Sequence, residues 1–510
     1  MAVTTRRRRS PETSRVTVVE PGDLVERRPR PPTPPATEPA DSTATDRRER
    51  RPASRRGWKE RDGGFAANLA SAEVWRGSTR QAGGIYPWLD AAPLPAIGAY
   101  IGRDVLTGRA FSAHPTAWVT EGVVTNPNLL VSGTPGSGKS SLLKLLALRL
   151  APLGIRTLVA GDPKGEYAPL CEYLDAKPLR LGAGMGGKLN PLAAGPLGQG
   201  LDRLPPAERE SRLVEIERRR LMLVGTLLSM ANLARVGVAD PDPYEEHVLR
   251  IALREVTGEL HGNDKIATPS LGQLWALLRD PTTAMADELR TSVDDLRNAS
   301  RRLMGAVGAL VQGHLGGIFG DAESDELTWR APVEVVDVSR LAAYSDDVIA
   351  MVLSCVPSWA QAVIDEPGPP VVVLRGELWR QMRSGGAVMM RKIDSDLRLS
   401  RATGTIQVLA THKLADFEAV GGAGSEAQAI AKGLLASCDT RVQLAQDTGP
   451  LLMAREEIGL TDAECEHIAS WGNAHRGRAV WKVGRTRSFV VQSELSADER
   501  IITYTDERMI

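Results

Sequence analysis

The chain has 510 residues, which at ~150 residues per domain suggests two to four domains, and its 42% apolar and 25% charged residues are those of an ordinary folded protein. Lys plus Arg and Asp plus Glu are 63 each, so the formal net charge is zero and no strongly basic balance argues for nucleic-acid binding by the chain as a whole. The four cysteines (Cys171, Cys355, Cys438, Cys465) form no C-x-x-C pair, which argues against a zinc ribbon or a dithiol redox motif and fits a reducing compartment.

Residues 1–57 hold 14 Arg, no Lys, 8 acids and 9 Pro, a net charge of +6 that the remainder cancels. So few apolar residues cannot offset the entropy of ordering, and the segment is expected to be a disordered Arg/Pro-rich tail. Its cluster Arg6 to Arg9 is either a solvated face or an electrostatic contact for nucleic acid or anionic lipid. The start lacks the apolar stretch of a secretory signal. Residues 58–125 read as a lead-in, helical over 58–80 and β-rich after Ile85. Ile97 to Gly102 and Ala110-Phe111 flank the turn Asp104 to Gly108 as a hairpin.

The apolar run Asn128 to Ser132 feeds a glycine-rich loop, the leucine-dense helix Ser140 to Leu150 and a second apolar strand, Ile155 to Ala160. A strand–loop–helix–strand series is the mark of a parallel α/β sheet. Residues 200–315 carry helical period only, with Leu213, Ile216, Leu223, Leu227 and Met230 along one face, and read as an all-helical insertion. Strand patterns return at Val333 to Val338, Pro370 to Leu374 and Thr405 to Ala410, so the core begun at 126–199 is completed over 316–495, closing on a hairpin at Arg478 to Val491. Residues 496–510 read as a C-terminal tail. The run Val348 to Ile364 is broken by Ser354, Pro357, Ser358 and Gln361, so it reads as a buried helix, and no integral membrane span is expected. The expected fold is α/β: a core with a parallel-dominated sheet, an inserted all-helical domain and a small N-terminal β-hairpin region.

Gly133, Thr134, Pro135, Gly136, Ser137, Gly138, Lys139 and Ser140 match G-x-x-x-x-G-K-[ST] in every required position, with Ser141 next in line. Glycines let successive main-chain N–H groups turn inward as an anion nest at a helix N-terminus. Lys139 supplies a point charge to the β- and γ-phosphates, and the Ser140 hydroxyl is the expected Mg²⁺ ligand. ATP and Mg²⁺ are therefore the expected cofactors.

The remaining motifs narrow the reading. Asp162-Pro163-Lys164-Gly165-Glu166-Tyr167 follows the second strand, Leu189-Asn190-Pro191-Leu192 comes shortly after, and Gly376-Glu377 and Thr411-His412 end two later strands. Over roughly 95–490 this set resembles the HerA/FtsK superfamily of P-loop motor ATPases. More narrowly it resembles the VirB/VirD-type ATPases of conjugation and type IV secretion, with an Arg-rich composition suited to an actinobacterial member. The resemblance implies a RecA-like core interrupted by a helical domain. It also implies a hexameric ring of identical subunits and hydrolysis that moves DNA or secreted protein alongside other conjugation or secretion components. The expected location is cytoplasmic, with attachment at the inner face of the cell membrane left open. It further implies that Glu377 polarises the attacking water, that Arg398 and Arg401 act in trans on a neighbour's γ-phosphate, and that His412 is the polar sensor, where relatives often have Gln.

One departure stands out. The family's second catalytic strand ends in Asp-Glu; here Gly376 replaces the metal-side Asp and Arg375 precedes it. Three arrangements are open. Another carboxylate, Asp162 first, supports the metal; or the chain binds nucleotide without turning it over, as a structural subunit of such a machine; or the strand Val333 to Asp337 is the true catalytic one. The plainer alternatives are a helix-start carboxylate for Glu377, a solvated helix face for Arg398 and Arg401, a merely hydrogen-bonded His412, and turn-capping for Lys164 and Glu166.

Overall fold

The computed structural model describes residues 94–95, 97–182, 189–198, 200–233, 242–261, 268–312, 316–319, 331–344, 348–353, 356, 369–418, 420, 425–471 and 475–504. The expected tail over 1–57, the expected helix over 58–80, Cys355 and most of the run 348–364 beyond 353 lie outside them.

Eleven strands form one sheet: β1 (Ala99–Asp104), β2 (Ala110–Ala113), β3 (Leu129–Ser132), β4 (Arg156–Asp162), β5 (Leu179–Arg180), β6 (Val333–Asp337), β7 (Val371–Arg375), β8 (Thr405–Thr411), β9 (Thr440–Gln443), β10 (Arg478–Val483) and β11 (Arg487–Ser493). Their order is β2-β1-β11-β10-β9-β3-β8-β7-β4-β6-β5. Pairing is parallel from β9 to β5 and antiparallel from β9 to β2. Every residue of β3, β7 and β8 is buried. That explains why these strands read as continuous apolar runs: both faces are covered, so no polar alternation survives. Leu129 and Val131 face one core, Leu130 between them the other.

The first core holds α1 (Pro115–Thr120) and α2 (Lys139–Leu150), whose Leu142, Leu143, Leu146 and Leu150 meet Trp118 and Trp481. α3 (Ala168–Tyr173) follows β4 on the same side. Between β5 and β6 the described residues form helices and no strand: α4 (Pro206–Leu233), α5 (Pro243–Thr257), α6 (Leu271–Arg279), α7 (Thr283–Glu288), α8 (Val293–Ala299), α9 (Arg301–Gln312) and α10 (Gly316–Phe319). Their starts are written in the sequence. Asp242 with Glu245 and Ser270 with Gln273 form capping boxes, and Thr282 and Ser292 cap with their hydroxyls. Ile216, Leu223 and Leu227 of the apolar face of α4 are buried; the Met230 side chain is outside the described residues. Most of these helices pack into the second core with α11 (Leu378–Thr403). Then come α12 (Ala415–Glu418), α13 (Glu426–Ala436), α14 (Thr448–Ile458), α15 (Asp462–Trp471) and α16 (Ala497–Thr503). No helix among the described residues is long and apolar enough to cross a membrane.

The N-terminal hairpin is present, β1 pairing antiparallel with β2, and it extends the central sheet because β1 also pairs with β11. Gly102 permits this: a Cβ there would lie 1.9 Å from the Gln492 carbonyl. Asp104 locks it, its carboxylate accepting from Thr107 Oγ1 (2.7 Å) and from Val490 N (3.1 Å). Within the expected C-terminal tail, α16 opens on a Ser496–Glu499 capping box, buries Ile502 and Thr503, and joins α2 through Arg149–Glu499 at 2.6 Å.

Candidate functional site

β3 ends at Ser132, and the loop from Gly133 returns into α2 at Lys139. Gly136 (φ 77°) and Gly138 (φ 101°) take left-handed backbone that other residues rarely adopt. A Cβ on Gly138 would also meet the Gly477 nitrogen at 2.8 Å. The loop is pinned from outside: Thr134 N donates to Ala445 O (2.9 Å) and Gly477 N to Ser137 O (3.0 Å). The buried Ser137 hydroxyl has no hydrogen-bond partner among the described residues. A glycine loop at the positive end of a 12-residue helix suits a phosphate chain.

Lys139 Nζ donates to Gly133 O (2.8 Å) and lies 2.9 Å from His412 Nδ1. An ammonium can only donate, so Nδ1 accepts and a neutral ring carries its proton on Nε2. Nε2 is 3.3 Å from Glu377 Oε2. The same carboxylate accepts from Trp379 Nε1 (2.5 Å) and pairs with Lys164 Nζ at 3.4 Å. Burial pushes the Glu377 carboxyl up, but the His412 hydrogen bond, the Lys164 charge and the Trp379 bond outweigh it and bring it down to about 2. Glu377 precedes α11 yet makes no side-chain cap bond; its carboxylate belongs to this network.

Of these groups, Lys139, His412 and Glu377 line one cavity of about 560 Å³. The loop and Ser140 form one wall, Gly376, Glu377 and His412 another, and Glu166 reaches in beside them. Arg476, Arg500, Thr503 and Tyr504 continue the cavity away from the loop, and Ser141 Oγ is bonded to Thr503 O (3.0 Å).

Asp162 does not line this cavity. Its carboxylate closes its own turn, accepting from Lys164 N (3.2 Å) and Tyr167 N (2.9 Å), and lies outside the cavity that a substitute metal carboxylate would have to line. Arg375 turns away as well: fully buried, it pairs with Asp396 of α11 at 2.6 Å and brings no positive charge to the cavity. β6 lies beyond β7 and β4, and Asp337 accepts from Ser339 N (2.9 Å) and pairs with Arg180, so that strand contributes nothing to the loop's cavity. Arg398 and Arg401 sit exposed near the end of α11, Arg398 paired with Asp394 at 2.7 Å, and neither reaches the cavity of its own chain. The C-terminal wall was missed from sequence. Only Gly477, with φ 77° directly before β10, hints at a tight approach there; Arg500 and Tyr504 carry no signal.

No protein-family model and no curated protein matches the chain. Among solved structures, VirB4 of Thermoanaerobacter pseudethanolicus aligns with 80% of this chain and 100% of its own at 20% identity and a TM-score of 0.59. The plasmid coupling protein TrwB in complex with ADP and Mg²⁺ aligns with 73% of this chain and 86% of its own at 16% identity and a TM-score of 0.46. The cytoplasmic domain of the Thermomonospora curvata type VII secretion ATPase EccC aligns with 79% of this chain and 30% of its own at 13% identity and 0.30. The last two superpose too loosely to carry an argument, and the likeness to VirB4 speaks for the fold. At the level of the fold, then, the chain shares with VirB4 an α/β core built on a mostly parallel central sheet.

Proposed function

We propose that this chain is an ATP-driven motor of conjugative DNA transfer or type IV-like secretion, working at the cytoplasmic side as a hexameric ring with DNA or secreted protein as cargo. One observation carries the reading. A hydrogen-bonded line runs from Lys139 through His412 to Glu377 inside a cavity walled by a glycine cradle. The cradle grips the phosphates, Lys139 answers the charge of the terminal one, and Glu377 orients water against it. The donor set fits Mg²⁺. Ser140 offers a hydroxyl for the ion that accompanies the phosphates, which when bound would neutralise charge on the β- and γ-phosphates. Arg398 and Arg401, exposed and outside their own cavity, suit contact with a neighbour's nucleotide.

A second reading, nucleotide binding without turnover, is favoured by Gly376 and by the donors that hold Glu377 far below the pKa at which a base takes a proton near neutrality. Steady-state ATPase assays of the unaltered chain, Glu377→Gln and Gly376→Asp, with and without single- and double-stranded DNA, separate the two. A Cβ on Gly376 meets nothing within 4 Å, so a side chain can start there without a clash. The motor reading expects turnover in the unaltered chain and its loss in Glu377→Gln. Activity appearing only in Gly376→Asp would contradict it and establish the second reading.

A further inference from the structure

Mg²⁺ in a nucleotide site is held by one or two carboxylates besides the phosphates and water. Gly376 has none to give, and the Asp162 carboxylate is occupied by main-chain N–H groups. One acidic group remains. Glu166 lines the same cavity as Ser140, Gly376 and Glu377. Its Oε2 is buried and has no hydrogen-bond partner among the described residues. The buried Lys144 ammonium acts on Glu166 but shares its field with Asp162, and a buried carboxylate oxygen without a hydrogen-bond donor still calls for an explanation, of which a bound cation is a common one.

The local chain geometry explains how Glu166 gets there. Asp162 ends β4 and draws the N–H groups of Lys164 and Tyr167 around its carboxylate. Gly165, with φ 68°, lets the chain reverse inside that turn. Tyr167 is then anchored in the core. Glu166 is the residue between the reversal and the anchor, presented toward the loop. Asp162 thus acts as a positioning residue for Glu166. Its neighbour Lys164 is taken up by Glu377. The open space at Gly376, where a side chain would meet nothing within 4 Å, leaves room for an ion's ligands to come from elsewhere.

We propose that Glu166 is the metal-side carboxylate of this site, holding with Ser140 the divalent ion that accompanies the nucleotide, in the place that an aspartate at position 376 would fill. The proposal rests on the nucleotide-binding reading above. It is tested by calorimetric titration of the full chain with a non-hydrolysable ATP analogue, in Mg²⁺ and in EDTA. The unaltered chain is expected to bind about tenfold or more tighter with Mg²⁺. Glu166→Gln should lose most of that gain while its affinity in EDTA stays unchanged, which also reports that the cradle is folded. Adding Gly376→Asp to Glu166→Gln should restore the gain. Mn²⁺ electron paramagnetic resonance of the same samples should show the bound-ion signal lost in Glu166→Gln and regained in the double variant. A full Mg²⁺ gain in Glu166→Gln, an equal loss of affinity in EDTA, or a double variant without restoration would each overturn the assignment. Absence of any binding by the unaltered chain would instead take down the nucleotide reading, and the assignment with it.

Discussion

Glu377 concentrates the chemistry at the residue scale. Three donors meet one carboxylate whose side chain is 14% exposed. Its pKa falls from 4.5 to about 2 on folding, so its ionised form stabilises the fold. That contribution is present above about pH 4.5 and is lost as pH falls toward 2. Thermal melts should therefore show Glu377→Gln less stable than the unaltered chain near neutrality, with the gap closing between pH 4.5 and 2. In turnover, the same variant should lose about 100-fold or more while nucleotide affinity changes little, as steady-state kinetics and titration would show. His412 accepts from Lys139 and donates to Glu377 at once. A glutamine can do both and a leucine neither, so His412→Gln should keep most of the activity that His412→Leu loses. Equal losses would mean that the ring only fills space.

Elements explain what the sequence disclosed and what it hid. β3, the glycine loop and α2, then β4, β7 and β8, were legible because strands covered on both faces are continuous apolar runs and because phosphate cradles need glycine at fixed steps. Of the residues singled out from sequence, Pro135, Gly136, Gly138, Lys139, Ser140, Ser141, Glu377 and His412 line one cavity. Asp162 was misjudged since a carboxylate at a strand end reads alike whether it faces a metal or closes its own turn. The pairing of β1 with β11 joins residues nearly four hundred positions apart through one glycine, and no local pattern announces it. α16 escaped for a similar reason: a 7-residue helix earns its order from Ile502, from the Ser496–Glu499 cap and from Arg149. Ile502→Ala should cost about 2 kcal/mol or more in denaturant unfolding. Because α16 and the residue after it wall the cavity, nucleotide affinity should weaken severalfold in the same variant. An unchanged affinity would detach the C-terminal wall from binding.

For the whole molecule, the placement of Arg398 and Arg401 away from their own cavity makes a prediction about assembly. A chain carrying Arg398→Ala and Arg401→Ala keeps its own Glu377, and a Glu377→Gln chain keeps its arginines. Mixed in one solution, two inactive proteins should recover partial ATPase activity if the arginines serve a neighbour, whereas no recovery over a range of ratios would place the arginines on a solvated face. Mass in solution by light scattering, with and without nucleotide, tests the ring directly. All of this presupposes that the loop from Gly133 to Ser140 holds a triphosphate. Calorimetric titration of the full chain with ATP and Mg²⁺, beside Lys139→Ala, tests that claim most directly. The account predicts saturable one-site binding that the lysine variant loses; a flat titration with folded protein, or full affinity in Lys139→Ala, would contradict it.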